Sequence, residues 1–533
     1  MKTERCERIN KFSRLSERLR QPEWRKYGYT LLLGKMISLF LLFCVFALVA
    51  ACSGGAARAD DPVLKGNDIV NPLNTLWTLL GAFLVFCMQV GFTMLEAGFA
   101  RTRETVNVLM ECVVDTCLCG VLFYAFGFAF MFGRGNGFIG YHFFFLNGAP
   151  ATYESTGVAF LAFWVFQFAF ADTCSTITDG SMVGRTSFIG DLLYSVGVTG
   201  FIYPIIGHWA WGPDGFLALM GSAGHLWPGL STGFHDFAGS TVVHTIGGMI
   251  AFAGAIALGP RIGRKFKKDG GGPMLPHDLT IATAGALILW FGWYGFNPGS
   301  TLSAMDAAGI ARVAANTTLA ACTGALAAMA FAYPQTKKWD LSFTINGLLA
   351  GLVAITCPCY WVSPAGACAI GAVGGVVVVL GCNFLEWLRV DDPCGATAVH
   401  GFAGIWGTLS LGLFAAGKYG MTGPLGADNS TPLKGLFYGG GMSLMYAQLI
   451  GSAIVTVATF VVAYAMYRGI NAMHLLRVSE AGELEGLDLF EHGVPPYPEY
   501  ALHAPGTAQS SYTASVTSSS TVGAQRGEKT NIG

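Results

Sequence analysis

The feature that most limits what this chain can become is the recurrence of apolar runs of roughly twenty residues. As a helix, each is long enough to cross a hydrocarbon layer about 30 Å thick. One run, residues 29–52 (YTLLLGKMISLFLLFCVFALVAAC), stands near the N-terminus. Eleven more follow near 73–99, 105–132, 158–182, 189–210, 236–259, 279–297, 309–333, 341–357, 364–387, 394–415 and 436–468. In lipid every backbone N–H and C=O needs a partner within the protein, which leaves helix bundles and closed barrels. The short alternating strands of a barrel do not stand out. The expected fold class is therefore all-α, a polytopic membrane bundle. Only 12% of the 533 residues are charged, too few to cover a soluble core of this size.

Charge placement orients the bundle. Basic residues next to spans resist translocation and collect on the cytoplasmic side. If the first of the eleven helices starts outside, the inner loops carry Arg101, Arg103, Arg185, Arg261, Arg264, Lys265, Lys267, Lys268, Lys337, Lys338 and Arg389. The outer loops carry only Arg134, Lys418 and Lys434. The net charge of −1 gives no reason to expect nucleic acid as a partner. The 14 cysteines lie mostly inside apolar runs and are expected to pack rather than to form a disulfide framework, Cys357 and Cys359 included.

Three regions follow. Residues 1–60 form a basic extension with the 29–52 segment, which is either a signal anchor or a signal peptide cleaved after Ala57-Arg58-Ala59. Residues 61–470 form the membrane domain. Residues 471–533 form a cytoplasmic tail, Ser/Thr-rich and expected to be disordered after about 500. Asn429-Ser430-Thr431 is a glycan-acceptor sequence in an outer loop.

The most informative pattern is an internal repeat. DFAGSTVVHTIGG begins at Asp236 and DPCGATAVHGFAG at Asp392, sharing without gaps Gly239/Gly395, Thr241/Thr397, Val243/Val399, His244/His400 and Gly248/Gly404. The copies open the fifth and tenth core helices. Five spans separate them, so the two halves insert in opposite directions, an architecture that places the working site near the midplane. Asp236 and Asp392 stand where a carboxylate caps a helix start. Each His follows its Asp by eight residues, about 12 Å along a helix, against about 15 Å for half of the hydrocarbon core. His244 and His400 should therefore meet near the centre. There they can share one N–H···N bond and turn their other nitrogens to a lumen.

These residues resemble the ammonium transporter, methylammonium permease and Rhesus family, most of all its plant and protist ammonium transporters. The likeness is carried by YPIIGHWAWGPDG (203–215), DFAGSTVVH, LGPRIGR (258–264), WFGWYGFNPGS (290–300), NGLLAGLVAIT (346–356), DDPCGATAVHGFAGIWG (391–407) and EGLDLFEHG (485–493). It implies an eleven-helix bundle with pseudo-twofold inverted halves, assembled as a homotrimer in the plasma membrane with one pore per subunit. Trp211, Ser300 and Phe170 would form an outer recruitment site for ammonium, and Phe170 and Phe296 a stacked gate. His244 and His400 would lie below the gate, and Asp236 near the entrance. The resemblance implies no cofactor and no metal, and no nucleophile–base or metal-ligand constellation stands out, so an enzyme is not expected. Two alternatives remain, a Rhesus-like channel for neutral ammonia or carbon dioxide and an ammonium sensor with little conduction. The cation-recruiting mouth argues against the first.

The chain departs from the family in its third core helix, FADTCSTITDGSMVGR. Small uncharged residues are expected at Asp172 and Asp179, and Glu where Gly184 stands. Intramembrane carboxylates are functional candidates, so Asp172 and Asp179 either hold ammonium, relay a proton or pair with other helices. In the tail, Phe490 occupies a position where plant-type relatives carry a phosphorylatable Thr, which excludes phosphate gating there.

Overall fold

The computed structural model describes residues 66–222, 226–227, 229–419 and 432–497. The 29–52 segment, the 57–59 cleavage sequence, the 429–431 sequon and the tail beyond 497 lie outside the described residues.

The described chain is helical, and its only strand-like pairings are isolated bridges. Among the described residues, nine helices are long and apolar enough to cross a membrane. They are α1 (Ile69–Phe99, the membrane part of the helix Gly66–Phe99), α2 (Thr102–Phe132), α3 (Phe160–Asp179), α4 (Phe188–Trp211), α5 (Ser240–Leu258), α6 (Leu279–Thr301), α7 (Ala307–Thr336), α9 (Pro364–Leu388) and α11 (Ser443–Ala472). Two further helices, α8 (Leu341–Thr356) and α10 (397–414), occupy the remaining expected positions.

Side chains fix where many of these helices start. Ser187, Asp278, Asp306, Asp340 and Ser363 each accept a bond from a free N–H in the first turn of α4, α6, α7, α8 and α9. Most boundaries fall within a few residues of the apolar runs. The first helix begins earlier than 73, because Pro72 falls in its opening turns and does not break it. The last begins later than 436, because residues Leu436–Tyr438 form a separate turn ended by Gly439 at φ +78°.

Leu76, Leu80, Phe83 and Val90 expose an apolar stripe along α1, a face suited to hydrocarbon rather than water. The cysteines of the described region are unpaired, and Cys357 and Cys359 are fully buried. Beyond α11 two short helices follow, α12 (Glu480–Glu485) and α13 (Leu487–His492). They are tied back to the bundle: Arg103 Nη1 donates to the Leu484 carbonyl at 2.7 Å, and the Asn107 N–H donates to Asp488 Oδ1 at 2.9 Å.

Candidate functional site

The repeated sequences fold into repeated structures. Asp236 accepts from the N–H groups of Gly239, Thr241 and Val242 at 2.8–3.0 Å. Asp392 accepts from those of Ala396 and Thr397 at 3.0 and 3.1 Å. Both carboxylates thus satisfy the donors that a helix start leaves free. Gly239 and Gly395 carry positive φ, +115° and +78°, so the chain turns into each helix at a residue without a side chain. Each helix then opens with a wide π turn, Ser240–Thr245 and Thr397–Phe402, and each turn carries its histidine. Such turns recur at functional sites.

The close approach of the two copies comes from glycine. A Cβ on Gly248 would meet the Gly401 nitrogen at 2.1 Å, and one on Gly404 would meet the Ser240 carbonyl at 2.5 Å. With α5 and α10 crossing this tightly, His244 Nδ1 and His400 Nδ1 stand 3.1 Å apart. Both rings are buried. His244 is stacked against Phe296 and Trp293, with centroids at 5.3 and 5.1 Å, and its Nε2 has no partner.

Next to the pair, the rings of Phe170 and Phe296 stack at 4.0 Å, with Phe296 against His244. Beyond them lies a cavity of about 370 Å³ lined by Phe170, Trp211, Asp236 and Ser300 among others. The rings of Trp211 and Phe170 meet edge to face at 6.0 Å, and the Trp211 N–H donates to the Asp236 backbone carbonyl at 2.7 Å. The Ser300 hydroxyl donates to the Phe296 carbonyl at 2.7 Å, which leaves its oxygen able to accept. Past His400 a small cavity is lined by Phe92, Glu96, Ile177, Gly180 and Asn346. Trp211, Phe170, Phe296, His244 and His400 thus form an unbroken series of ring contacts, with Ser300 lining the cavity at its Trp211 end.

The acids of α3 lie elsewhere. Asp172 is fully buried, its carboxyl has the Gln89 and Thr116 side chains beside it without a hydrogen bond of full geometry, and it lines neither cavity. Asp179 accepts from the Tyr194 hydroxyl at 2.7 Å and gathers with Asp115 of α2 and Asp191 of α4. Sequence reasoning missed this cluster, because its members lie on three helices and no spacing connects them. The signal was present in each acid singly, as a charge inside an apolar run.

Gly184, where the family resemblance led to Glu, has a physical explanation. A Cβ there would meet the Glu104 carboxyl at 2.5 Å. Glu104 is buried, ion-paired with Arg101, and fills the space. At the same end of the bundle, Asp391 accepts from Arg261 Nε at 2.8 Å and lies 3.4 Å from Arg264 Nε. Burial alone would raise its pKa, but the bonds from Arg261 and the charge of Arg185 hold it well below the usual carboxylate range.

These features define a class: a polytopic all-helical membrane protein whose two inverted halves bring a pair of histidines together beside a stacked pair of phenylalanines. Comparison with known proteins gives the family. The model of the Ammonium Transporter Family matches residues 76–497, and the chain belongs to that family. It is 41% identical over 468 residues to ammonium transporter Amt2 of Archaeoglobus fulgidus, covering 87% of this chain and 96% of that one. It is 39% identical over 416 residues to ammonium transporter 1 member 1 of Arabidopsis thaliana, covering 75% and 80%. Among solved structures, a sensor Amt protein superposes with a TM-score of 0.69 at 35% identity, over 80% of this chain and 99% of that one. Mep2 of Saccharomyces cerevisiae does so with a TM-score of 0.67 at 27% identity, over 77% and 88%.

Proposed function

We propose that the protein carries ammonium across the plasma membrane by recruiting the cation at its outer mouth and passing neutral ammonia to the paired histidines. The observation that carries this reading is the vertical order of groups: Trp211 and Ser300, then the stacked Phe170 and Phe296, then His244 and His400. Ammonium donates four hydrogen bonds. The Trp211 and Phe170 faces attract it by cation–π interaction, and the Ser300 oxygen accepts one bond. Taking a bare cation past two buried aromatic rings is expensive, so the low dielectric favours release of the proton. Neutral ammonia then passes the gate and hydrogen-bonds to the imidazoles, whose free nitrogen on His244 faces no protein partner. Potassium has no proton to release and is rejected by chemistry rather than by size. The proton either returns outside or crosses separately along the histidines.

In this reading the chain is a homotrimer with one pore in each subunit, its tail is cytoplasmic, and its membrane domain ends near residue 470.

The test is the current evoked by an ammonium pulse in liposomes holding the purified protein, with potassium as control. A saturable ammonium-specific current supports transport with net charge. A shift of internal pH without current supports passage of neutral ammonia. Neither signal from folded protein overturns the reading.

A second reading, ammonium sensing with little conduction, is favoured by the 35% identity to a sensor Amt protein and by the buried acids of α2, α3 and α4.

A further inference from the structure

A carboxylate cage lies beside the inner half of the path, and the histidine route makes no use of it. Asp115, Asp179 and Asp191 are at most 2% exposed, and one oxygen from each lies within 4.8 Å of those of the other two. Asp115 uses Oδ2 to accept from the Ser175 hydroxyl at 3.3 Å, and Asp179 uses Oδ1 for Tyr194. Asp115 Oδ1, Asp179 Oδ2 and both oxygens of Asp191 make no hydrogen bond of full geometry, although the Ser195 hydroxyl and the Asp179 carboxyl stand beside Asp115 and the Tyr194 hydroxyl beside Asp191. A separate group from α11 joins them. Tyr467 packs its ring on Tyr194 at 5.5 Å, is fully buried, and its hydroxyl also has no partner. That hydroxyl lies within electrostatic reach of all three aspartates. None of the described ion pairs involves them.

Three carboxyl groups this close and shut from water repel one another unless protons or a cation share the space. The chemistry of the lining bears on the kind of cation. Four N–H donors at about 2.9 Å from their acceptors place those acceptors about 4.7 Å apart on a tetrahedron, and the cage oxygens lie within 4.8 Å of one another. A hard divalent ion takes six to eight oxygens or keeps a shell of water, and the cage offers the carboxyl groups of three residues and a phenol.

The cage also has an approach from the pore. Glu96 lines the small cavity past His400, its Oε2 is unpartnered, and it lies within electrostatic reach of Asp115 and Asp179. We propose that Asp115, Asp179 and Asp191 form a second, internal ammonium-binding site filled from the pore by way of Glu96. The filling route rests on the reading that ammonia passes the histidine pair. Ammonia arrives neutral and its lone pair takes the proton of a carboxyl group. One O–H bond breaks and one N–H bond forms, leaving an ammonium–carboxylate pair with no change in net charge. No bare cation crosses the gate to reach the cage.

The site is connected to the tail. Glu111, within electrostatic reach of Asp115, accepts from Asn107 Nδ2 at 2.7 Å. Asn107 in turn meets His492 Nε2 at 2.9 Å and donates its N–H to Asp488. One residue thus joins the acids to α13.

The experiment is equilibrium dialysis of the full-length protein in detergent against isotopically labelled ammonium, with potassium and calcium chloride as competitors and liposome flux measured on the same preparations. Two ammonium ions per chain are expected. Trp211→Leu should weaken the outer one about 5- to 30-fold and leave the inner unchanged. Asp191→Asn and Asp179→Asn should keep the outer one and weaken the inner at least tenfold. Wild-type protein that binds a single ammonium, weakened in Trp211→Leu, overturns the cage whether or not the aspartate variants fold. Displacement of the inner ammonium by calcium overturns it in favour of a divalent-cation site. If flux is normal and the inner ion absent, the cage alone falls. If the inner ion binds and no flux is seen, the pore reading falls, and with it the filling route.

Discussion

His244 and His400, 156 positions apart in the chain, hold their Nδ1 atoms 3.1 Å apart with their ring planes 26° from parallel. One nitrogen must donate and the other accept, so the pair fixes a tautomer on each ring. His400→Ala breaks the pair while leaving the glycine crossing intact. Ammonium flux into liposomes should fall about tenfold, the rate equivalent of one hydrogen bond of about 1.4 kcal/mol. Unchanged flux and selectivity would remove the histidines from the mechanism.

Trp211 presents its ring to the outer cavity and its N–H to the backbone of Asp236. Trp211→Leu removes a cation–π contact of about 1–2 kcal/mol. The half-saturating ammonium concentration should rise about 5- to 30-fold, with little loss at saturation. Equal loss at all concentrations would count against recruitment.

Asp172 has two buried oxygens that make no hydrogen bond of full geometry, with only Gln89 and Thr116 beside them, and it lines neither cavity. Relieving an unsatisfied buried group is worth about 1–3 kcal/mol. Asp172→Ala should raise the melting temperature in detergent and leave ammonium flux unaltered. A drop in flux across several pH values would return this carboxylate to the pore.

Gly184 has φ +83° and abuts Glu104. Gly184→Ala should destabilise the protein by about 1–3 kcal/mol from backbone strain, with further loss from the clash, read as a lower melting temperature. Stability equal to wild type would mean that the segment between α3 and α4 yields easily.

Asp391 titrates below its ordinary range in the folded state, so the folded protein holds its proton less tightly than the unfolded chain. Its contribution is therefore present above the ordinary carboxylate pKa and is lost as pH falls toward the folded value. Asp391→Asn should cost about 3–5 kcal/mol near neutral pH, because Arg261 would be left buried without its partner. The difference from wild type should shrink in strong acid. A pH-independent difference in melting temperature would assign Asp391 a packing role only.

The sequence alone determined the membrane class, because runs of about twenty apolar residues have no other stable solution in lipid. It also determined the central pair. Asp236 and Asp392 each set a helix start, and a fixed eight-residue interval on oppositely inserted halves has to bring His244 and His400 to similar depth. Those relations are local or symmetric, so they can be read along the chain. The family's motif residues Trp211, Phe170, Phe296 and Ser300 were legible by resemblance, and the fold brings Trp211, Phe170 and Ser300 around one cavity with Phe296 stacked on Phe170. The Asp115–Asp179–Asp191 cage was decided only by tertiary structure, since packing between α2, α3 and α4 has no period that records which acids will face one another. Gly184 is a further case of that kind. Its missing side chain becomes intelligible only when Glu104, 80 positions earlier, is seen to occupy the same space.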